Sequence, residues 1–525
     1  MNSTTKLQPL NNPFSQEKKA DSVSAPAPMN NMYGFNSIQD FSGTLGNHNS
    51  DLSQTHADAL GFHAYMANFY TKNFWFKDAG VQAWQYEEPY DHWQNLYGVD
   101  AVCVFYHSGH GNMDGNGVFQ APLGGTWNGE SWFFSNHNVK FGNQVSRYIF
   151  WSTCLSCRIS GGMSPIKTWW ADNNNPGFRM LFGYETTSVD SPNYGSNFWN
   201  HWKKGESFSS AFLNASWDIY HNQSPSCVAS GSNATDAINR LNNERLFYWG
   251  AVARNYYQWK WYYASASAVR NKALPKELKI AELAPSTFDS EHTQKLAAKL
   301  GITSAPSITS DGHYSIGSPE KSVSLNNLGH LDVKLAEPNH ANSKQLDEQK
   351  ARTIAEQQIQ ELNLHAGETY AFDVVRLSKT AGGSTSDKKE AHAHVTDTTI
   401  QYRQVINGIP SVNSDVGLIR VTIDNDGTIT RLHSSVKKVA SLSCNPKSMT
   451  MNPTENIGSV AISAQAMEDA FSSQLANYKN AKLLEEETGY DVANTHGRII
   501  TQRVYEVTFE HNLKKLVKLT VSRFE

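Results

Sequence analysis

The sequence predicts an α/β sheet with helices on both faces in the first half of the chain, followed by repeated α+β domains. Three observations carry this prediction. Between residues 35 and 270, apolar runs without polar alternation, which are typical of strands covered on both faces, are separated by helix-like segments. All 14 tryptophans lie between Trp75 and Trp261, which marks a boundary near residue 270. Beyond it, a helix-like segment leads into alternating strands three times over.

The first half reads as strands alternating with helices. A helix-like SQTHADALGFHAYMANFYTK precedes the apolar run AVCVFYHS, and RYIFWSTC and FRMLFGYET follow as further apolar runs. The helix-like segments SPIKTWWADN, SNFWNHWKKG and SFSSAFLNASWDIYH suit crossover connections between parallel strands. We therefore expect a domain over residues 35–270. Residues 1–34 have a polar, Pro-, Ala- and Ser-rich composition that predicts a flexible tail.

The second half predicts α+β units, each a helix followed by antiparallel strands. Residues 271–340 form the first unit and its connector, and residues 341–525 hold the further units. The Asp-Asn-Asp-Gly stretch that ends at Gly427 is typical of a hairpin turn. A polar Gly-, Ser- and Lys-containing stretch within residues 366–395 predicts an exposed loop. The three units are HTQKLAAKLGI with YSIGSPEKSVSL and GHLDVKLA; DEQKARTIAEQQIQELNL with TTIQYRQVINGIP and GLIRVTIDNDGTITRLHS; and IGSVAISAQAMEDAFSSQLANY with RIITQRVYEVTFEHN and LVKLTVSRF.

Composition excludes several classes of function. The net charge of −4 and the 18% of charged residues give no basic surface of the kind that binds nucleic acid. No apolar run reaches the roughly 18 residues of a membrane span. The N-terminus lacks the apolar core of a secretory signal, so we expect secretion only of a trimmed, mature chain. Five cysteines are too few, and odd in number, for a disulfide framework, which leaves at least one free thiol.

Two of the predicted strands end in residues that carry chemistry. AVCVFYHS runs into Gly109-His110-Gly111, and RYIFWST runs into Cys154. Ligands gather at the carboxyl ends of strands in an α/β sheet, so we expect an imidazole and a thiol over one crevice, as nucleophilic catalysis requires. The glycines would let a substrate approach the backbone closely. The N–H groups of Gly111 and Cys154 could receive a developing oxyanion.

These motifs resemble those of the caspase-like cysteine peptidases, the group that includes metacaspases, gingipains and an uncharacterised family of bacterial domains with Gly-His-Gly and Cys motifs. The first strand reads Phe105-Tyr106-His107-Ser108-Gly109-His110-Gly111, and the second ends in Thr153-Cys154-Leu155-Ser156-Cys157. GYETTSVDS and FWNHWKKGESFSSAFLNASWD resemble the strand and helices that follow the nucleophile, so the resemblance covers residues 40–265. It implies a caspase-like fold and peptide-bond cleavage, with Cys154 as nucleophile, His110 as catalytic histidine and no cofactor.

The substrate pocket is less clearly marked in the sequence. Metacaspases hold a basic side chain with an acidic pattern that is absent here, and Asp114, Glu185 and Asp190 are the acidic residues that could serve instead. Each of them is by default an ordinary loop acid. The sequence therefore predicts a peptide or protein substrate without fixing which peptide bond is cut.

Two other interpretations use the same residues. His107 and His110, together with Cys154 and Cys157, have the spacing and softness of a structural zinc site, which would make the chain a zinc-bound or catalytically inactive binding protein. Cys154 and Cys157 alone could act as a redox pair. His107 is more simply a packing or hydrogen-bonding residue.

The last part of the chain carries a second resemblance. A strand running into Asn407-Gly408-Ile409-Pro410, followed by a strand and the hairpin at Gly427, resembles the PepSY and propeptide-type domains found beside bacterial peptidases. Such domains often inhibit or chaperone a peptidase, so the resemblance implies intramolecular inhibition of the first domain by residues 341–525. A passive binding or spacer module is the alternative.

Overall fold

The structure of the protein is a computed structural model that contains one large mixed sheet and two smaller antiparallel sheets. None of the helices in the described part of the chain is long and apolar enough to cross a membrane. The described residues are 7–15, 32–90, 96–127, 132–136, 138–139, 144–159, 163–169, 177–268, 274, 277–284, 288–386, 390, 392–444 and 462–524.

Strands and helices alternate in the first half, as its apolar runs predict. The strands are β1 Leu7–Gln8, β2 Tyr33–Ser37, β3 Trp75–Lys77, β4 Val104–Ser108, β5 Asn112–Met113, β6 Phe119–Pro122, β7 Phe133–Ser135, β8 Tyr148–Ser152, β9 Met180–Tyr184, β10 Pro225–Gly231 and β11 Tyr256–Ser267. The helices are α1 Ser42–Leu45, α2 Thr55–Met66, α3 Pro165–Trp169, α4 Tyr194–Lys203, α5 Phe208–Trp217 and α6 Ala234–Asn243. Every residue of β4, β8 and β9 is buried, which explains why polar and apolar residues do not alternate along these strands.

Five of these strands form the parallel region of the large sheet, in the order β3-β2-β4-β8-β9. Successive residues of β4 enter two separate apolar clusters because side chains alternate across a strand. Tyr106 packs with helices α2, α4 and α5, whereas Phe105 packs with α3 and β5–β7. Helices and a small sheet therefore share the covering of this region, where the sequence predicts helices on both faces.

Helices followed by strands recur in the second half, as predicted. The helices are α7 Ser290–Lys299, α8 Glu348–Glu361 and α9 Ala464–Leu475. The strands are β12 Ile280–Leu283, β13 Ser307–Thr309, β14 Tyr314–Gly317, β15 Ser322–Leu325, β16 Leu331–Lys334, β17 Tyr370–Ser384, β18 His394–Ile406, β19 Ile409–Pro410, β20 Leu418–Asp424, β21 Ile429–Ser434, β22 Val439–Ser443, β23 Ala481–Asp491, β24 His496–Thr508 and β25 Lys514–Ser522.

The large sheet continues across the boundary predicted near residue 270. After the antiparallel strands β10 and β11, the sheet passes to β17 and then to β18, β20, β21, β16, β15, β14 and β13. The β11–β17 pairing runs from Tyr256 opposite Ser384 to Ser267 opposite Val374. The two halves of the chain therefore share one sheet.

Two stretches differ from their prediction. Within residues 366–395, the first part of the polar stretch expected as a loop belongs to β17, which runs to Ser384, and Gly382 lets that strand approach β11, since a Cβ there would lie 2.1 Å from Oε1 of Gln258. Within the expected flexible tail over residues 1–34, β1 pairs with β13, and Phe14 is buried against Phe247 and Tyr70. Isolated apolar side chains in a polar segment anchor it there. Residues 1–6 and 16–31 of that tail lie outside the described residues.

The two smaller sheets belong to different halves of the chain. One consists of β5, β6 and β7, and the other of β22, β12, β24 and β23, with β25 also paired to β24. β24 and β25 form a hairpin whose last register pair is Thr508 with Lys514. Phe509 and Leu513, at the tip of this hairpin, join the same apolar cluster as Phe105.

Candidate active site

His110 and Cys154 leave two neighbouring parallel strands at the same level. Ser108 at the end of β4 pairs with Ser152 at the end of β8, and His110 and Cys154 each lie two positions beyond the paired serine. The N–H of Gly109 donates to the Ser152 carbonyl at 3.4 Å. The imidazole and the thiol therefore belong to one edge of the sheet, the carboxyl edge of its parallel region.

The His110 ring is fully buried, and one hydrogen bond sets its tautomer. Nε2 lies 2.9 Å from the backbone carbonyl oxygen of Ser50, which can only accept. Nε2 must therefore carry the hydrogen of a neutral ring, and Nδ1, which has no hydrogen-bond partner in the described part of the chain, keeps a free lone pair. Phe41 and Phe509 pack against the ring, with centroids 5.0 and 4.7 Å from the imidazole centroid.

The Cys154 sulfur contacts two distant segments of the chain. The Ser188 N–H donates to Sγ at 3.3 Å, and the Ser188 hydroxyl lies 3.5 Å from Sγ. The thiol also donates to the backbone carbonyl of Lys514 at 3.1 Å. With only 1% of its surface exposed, Cys154 is closed off from solvent in this arrangement.

The backbone around the thiol is tightly constrained. A Cβ at Gly111 would lie 2.6 Å from the Cys154 carbonyl oxygen and 2.9 Å from Thr153 Cβ, so glycine is required there. Leu155 has a φ of 59°, a left-handed conformation that costs free energy for a residue with a side chain. The close approach of the two loops is what an oxyanion site made from the N–H groups of Gly111 and Cys154 would require.

A lysine from β25 lies between the His110 loop and the segment that follows β9. The Lys515 side chain is 2% exposed, and its Nζ lies 3.2 Å from the Ser188 hydroxyl and 3.4 Å from the Gly109 carbonyl oxygen. Burial, and then the positive charge of Lys515, lower the pKa of His110 to about 3, although the hydrogen bond to Ser50 acts in the opposite direction. His110 is therefore neutral near pH 7.

Asp190 lies next to this lysine. Its N–H donates to the carbonyl of Leu516 at 2.8 Å, and its carboxylate accepts from the N–H and the hydroxyl of Ser53 at 2.9 and 3.2 Å. Desolvation raises the pKa of Asp190, and the charge of Lys515 opposes that rise. Of the three acidic residues considered for a substrate pocket, Asp190 is therefore the one that the fold brings to the two loops.

The other two acidic residues have different surroundings. Glu185 lines a cavity of about 370 Å³ together with Trp261, Tyr263 and Lys379. Asp114 stabilises its own turn, where its carboxylate accepts from the N–H groups of residues 116 and 118 at 2.8 and 2.9 Å. The Asp114 interaction is the ordinary one for a loop acid.

The residues of the alternative zinc site are not gathered around one point. His107 Nδ1 lies 2.7 Å from the Tyr86 hydroxyl, and the Cys157 thiol is buried in an apolar cluster, where desolvation raises its pKa well above the ordinary value. Across the described residues, the group of metal-type ligand atoms within 4.8 Å of one another is formed by residues 40, 48 and 51. Cys154 and Cys157 are both free thiols in this structure, as are the other three cysteines.

Beneath the end of β4, Asp58 of α2 ties the strand to the helices. Its carboxylate accepts from the Tyr106 hydroxyl at 2.7 Å, the Ser108 hydroxyl at 2.8 Å and the N–H of Gly195 at 3.0 Å. Burial raises the pKa of Asp58, while these hydrogen bonds act to lower it. The loop that carries His110 therefore starts from a fixed strand end.

Several residues that enclose the site escape reasoning from the sequence. Ser188 lies in GYETTSVDS, and the place of this stretch after the Cys154 strand is a signal that could have found it. Ser50 acts through its backbone carbonyl, and Asp58 acts from the buried face of a helix. Neither interaction produces a recognisable sequence motif. Phe509 and Lys515 lie in ordinary strand sequence far along the chain, so local pattern gives no indication of their role.

Comparison with known proteins finds a family model that matches this region. Residues 35–264 match a domain of unknown function, DUF6345. The match covers less than half of the 525-residue chain, contains both His110 and Cys154, and ends before Phe509 and Lys515. No curated protein matches the chain. The matched family carries no stated activity, so the catalytic roles of the two residues stay predictions.

Proposed function

We propose that the chain is a cysteine endopeptidase with a caspase-like first domain, in which His110 and Cys154 form the catalytic dyad. The observation that carries the proposal is that the two residues leave neighbouring parallel strands at a common level. Nδ1 of His110, which is buried and has no hydrogen-bond partner among the described residues, adds to it, because an unused lone pair in a protein interior calls for an explanation. A base that accepts the thiol proton is such an explanation.

Cleavage would begin with transfer of the Cys154 thiol proton to Nδ1 of His110. The thiolate forms a bond to the carbonyl carbon of the substrate, and the electron pair of the carbonyl double bond moves to oxygen. The N–H groups of Gly111 and Cys154 are the donors that would stabilise this oxyanion. His110 then gives the proton to the amine as the carbon–nitrogen bond breaks, which leaves a thioester on Cys154.

Water would complete the reaction by the reverse use of the same groups. His110 takes a proton from water, and the water oxygen adds to the thioester carbon. The carbon–sulfur bond breaks, the acid product departs, and the proton returns to the sulfur. The hydrogen bond from Nε2 to the Ser50 carbonyl holds the ring and favours the imidazolium that forms in each half of the reaction.

The surroundings of the dyad support the same proposal. Parallel strands in the order β3-β2-β4-β8-β9 give the α/β core that a caspase-like domain needs, with reactive residues at the carboxyl edge. Asp190, beside the two loops, is the acidic residue best situated to contact a substrate. Strained backbone at Leu155, next to the nucleophile, is a frequent property of functional sites.

Peptide hydrolysis by the full chain tests this proposal. A set of fluorogenic peptides with acidic, basic or apolar residues before the scissile bond covers the specificities that the sequence leaves open. Because the closed Cys154 would slow any reaction, the Phe509→Ala/Lys515→Ala double variant is assayed beside the unaltered chain. We expect hydrolysis by at least one of them.

Variants of the dyad identify the source of that activity. Cys154→Ala and His110→Ala should each lower the rate by about a thousandfold or more. Cys444→Ser, which changes an exposed free thiol far along the chain, is the control and should keep the rate. Absence of hydrolysis in both folded parent chains, or hydrolysis that survives Cys154→Ala, would contradict the proposal.

A further inference from the structure

The tip of the β24–β25 hairpin enters the candidate active site from the far end of the chain. Residues Phe509–Leu513 connect the two strands, and His511 and Asn512 adopt left-handed φ values of 54° and 57° to make the turn. Cys154 and Lys514 are 360 positions apart in the sequence, yet their atoms are in contact. The tip therefore belongs to the site spatially although it lies outside the matched domain.

Both members of the proposed dyad are covered by this tip. The Phe509 ring meets the His110 ring edge-to-face at an interplanar angle of 64°. The Lys514 carbonyl oxygen accepts from the Cys154 thiol. One side chain and one peptide group of the hairpin thus occupy the surfaces that a substrate would have to reach.

The first residues of β25 also pair with the segment that follows β9. The Leu516 N–H donates to the Ser188 carbonyl at 3.0 Å, and the Leu516 carbonyl accepts from the Asp190 N–H at 2.8 Å. These two bonds make a parallel bridge between Val189 and Leu516. An extended peptide is therefore bound through its main chain, which is how β-strand addition holds a peptide with any sequence.

Lys515 fills the space between the His110 loop and the segment that follows β9. Its amine contacts the Ser188 hydroxyl and the Gly109 carbonyl. The Asp190 carboxyl group is near enough to interact electrostatically with this amine. A buried lysine must be paired or hydrogen-bonded to be tolerated. The same contacts that stabilise Lys515 exclude any other side chain from this position.

Contacts at the rim hold the tip from outside. Glu510 accepts from the side-chain N–H groups of Asn47 and Asn49 at 3.0 and 3.1 Å, and His511 stacks on Trp132 with centroids 4.4 Å apart. Exposed polar contacts of this kind contribute little stability. The tip is therefore well fitted to the site but weakly fastened at its rim.

We infer that residues Phe509–Leu516 form an autoinhibitory plug of the proposed His110/Cys154 site, bound as a peptide strand and withdrawn to give the active enzyme. The inference rests on the proposed function, because a plug has a purpose only where the dyad acts on substrate. Withdrawal must either separate Lys515 and Leu516 from β24 or carry the end of β24 with them, since Lys515 pairs with Val507, which pairs in turn with Ala481 of β23. While the plug is in place, Cys154 and His110 are both inaccessible to substrate.

Alkylation of Cys154 by a small chloroacetamide in the full chain, measured residue by residue by peptide mapping, tests the plug without any substrate. Lys515→Ala should raise the alkylation rate of Cys154 about tenfold or more, because it removes the hydrogen bonds of a buried charged group. Glu510→Ala removes only contacts at the rim and should also raise the alkylation rate of Cys154. This second variant keeps the test valid if the buried Lys515→Ala substitution unfolds the chain. Lys350→Ala, which changes an exposed lysine on α8, is the matched control and should leave the rate unchanged.

Peptide hydrolysis by the same variants separates the plug from the function. A rise in Cys154 alkylation in Lys515→Ala and Glu510→Ala supports the plug, whatever the rate of hydrolysis. Equal alkylation in these variants and in the unaltered chain, while that chain hydrolyses peptides, overturns the plug and leaves the peptidase proposal standing. Isolation of the chain cut after Lys514 would also overturn the plug, since the tip would then be a substrate.

Discussion

Acid should loosen the hairpin tip because His110 is held neutral beneath it. The pKa of His110 is lowered to about 3 by burial and by Lys515, whereas an exposed histidine has a pKa of about 6.5. The docked state therefore binds fewer protons than the withdrawn state between these two values. Docking is fully favourable above about pH 6.5 and weakens as the pH falls through that window.

The size of the effect follows from the two pKa values. If withdrawal returns His110 to about 6.5, lowering the pH from about 7.5 to about 5 favours the withdrawn state by roughly 30-fold, or about 2 kcal/mol. The pKa of His107 is also lowered to about 3, chiefly by burial within β4, which withdrawal of the tip leaves in place, and secondly by the charge of Lys515, so His107 adds little to the effect. Asp190, whose pKa is raised in the docked state, opposes the effect at the acidic end of the window.

Hydrogen exchange of two bridging amides measures this directly. The Leu516 and Asp190 N–H groups are protected only while the tip is docked. Their protection factors, which correct for the intrinsic pH dependence of exchange, should fall by up to about 30-fold over this pH range. Amides of the β9–β10 pair report global opening, and His110→Asn should remove most of the pH effect. Unchanged protection in the unaltered chain, or the same decrease in His110→Asn, would refute the reasoning.

Three further outcomes follow from the packing around the dyad. Gly111→Ala should abolish peptide hydrolysis and destabilise the chain by about 1–3 kcal/mol in denaturant unfolding, because its Cβ would meet Cys154 and Thr153, whereas Gly115→Ala, with open space around it, should do neither; equal effects would contradict this account. Asp58→Asn should lower stability by about 1–3 kcal/mol, since a carboxylate that accepts three hydrogen bonds is replaced by an amide with one acceptor, and an unchanged unfolding midpoint would count against it. His107→Phe should cost about 1–3 kcal/mol through the lost bond to Tyr86 yet leave folded protein active, and selective loss of turnover would assign His107 a catalytic role.

Local sequence pattern was sufficient for the strands that carry the dyad. The runs that contain Phe105 and Phe150 lack polar alternation because both faces of β4 and β8 are buried, and this is visible in the sequence. The glycines and polar residues at Gly109 and Thr153 are sufficient to predict that the two strands end there. His110 and Cys154 lie at a common level because of the register between β4 and β8. Such a register is the natural expectation once the two parallel strands are taken to be neighbours.

Contacts between distant segments could not be predicted in the same way. The pairing of β11 with β17 joins the two halves into one sheet, and nothing in either strand specifies the other as its neighbour. The plug depends on Phe509 and Lys515, which look like ordinary residues of an amphipathic hairpin. These two residues matter because the tertiary fold positions the hairpin tip at the candidate site. The local sequence around them does not indicate that position.

Adduct mapping with a peptidyl electrophile is the most direct measurement of the central claim. The Phe509→Ala/Lys515→Ala chain, incubated with a peptidyl acyloxymethyl ketone, should gain one adduct, located on Cys154, and should gain none when His110→Ala is added. The reagent needs both a thiolate and a bound peptide, so exposed Cys444 alone should not react. An adduct on another cysteine, or labelling of Cys154 that is indifferent to His110, would contradict the assignment of these two residues as a catalytic dyad.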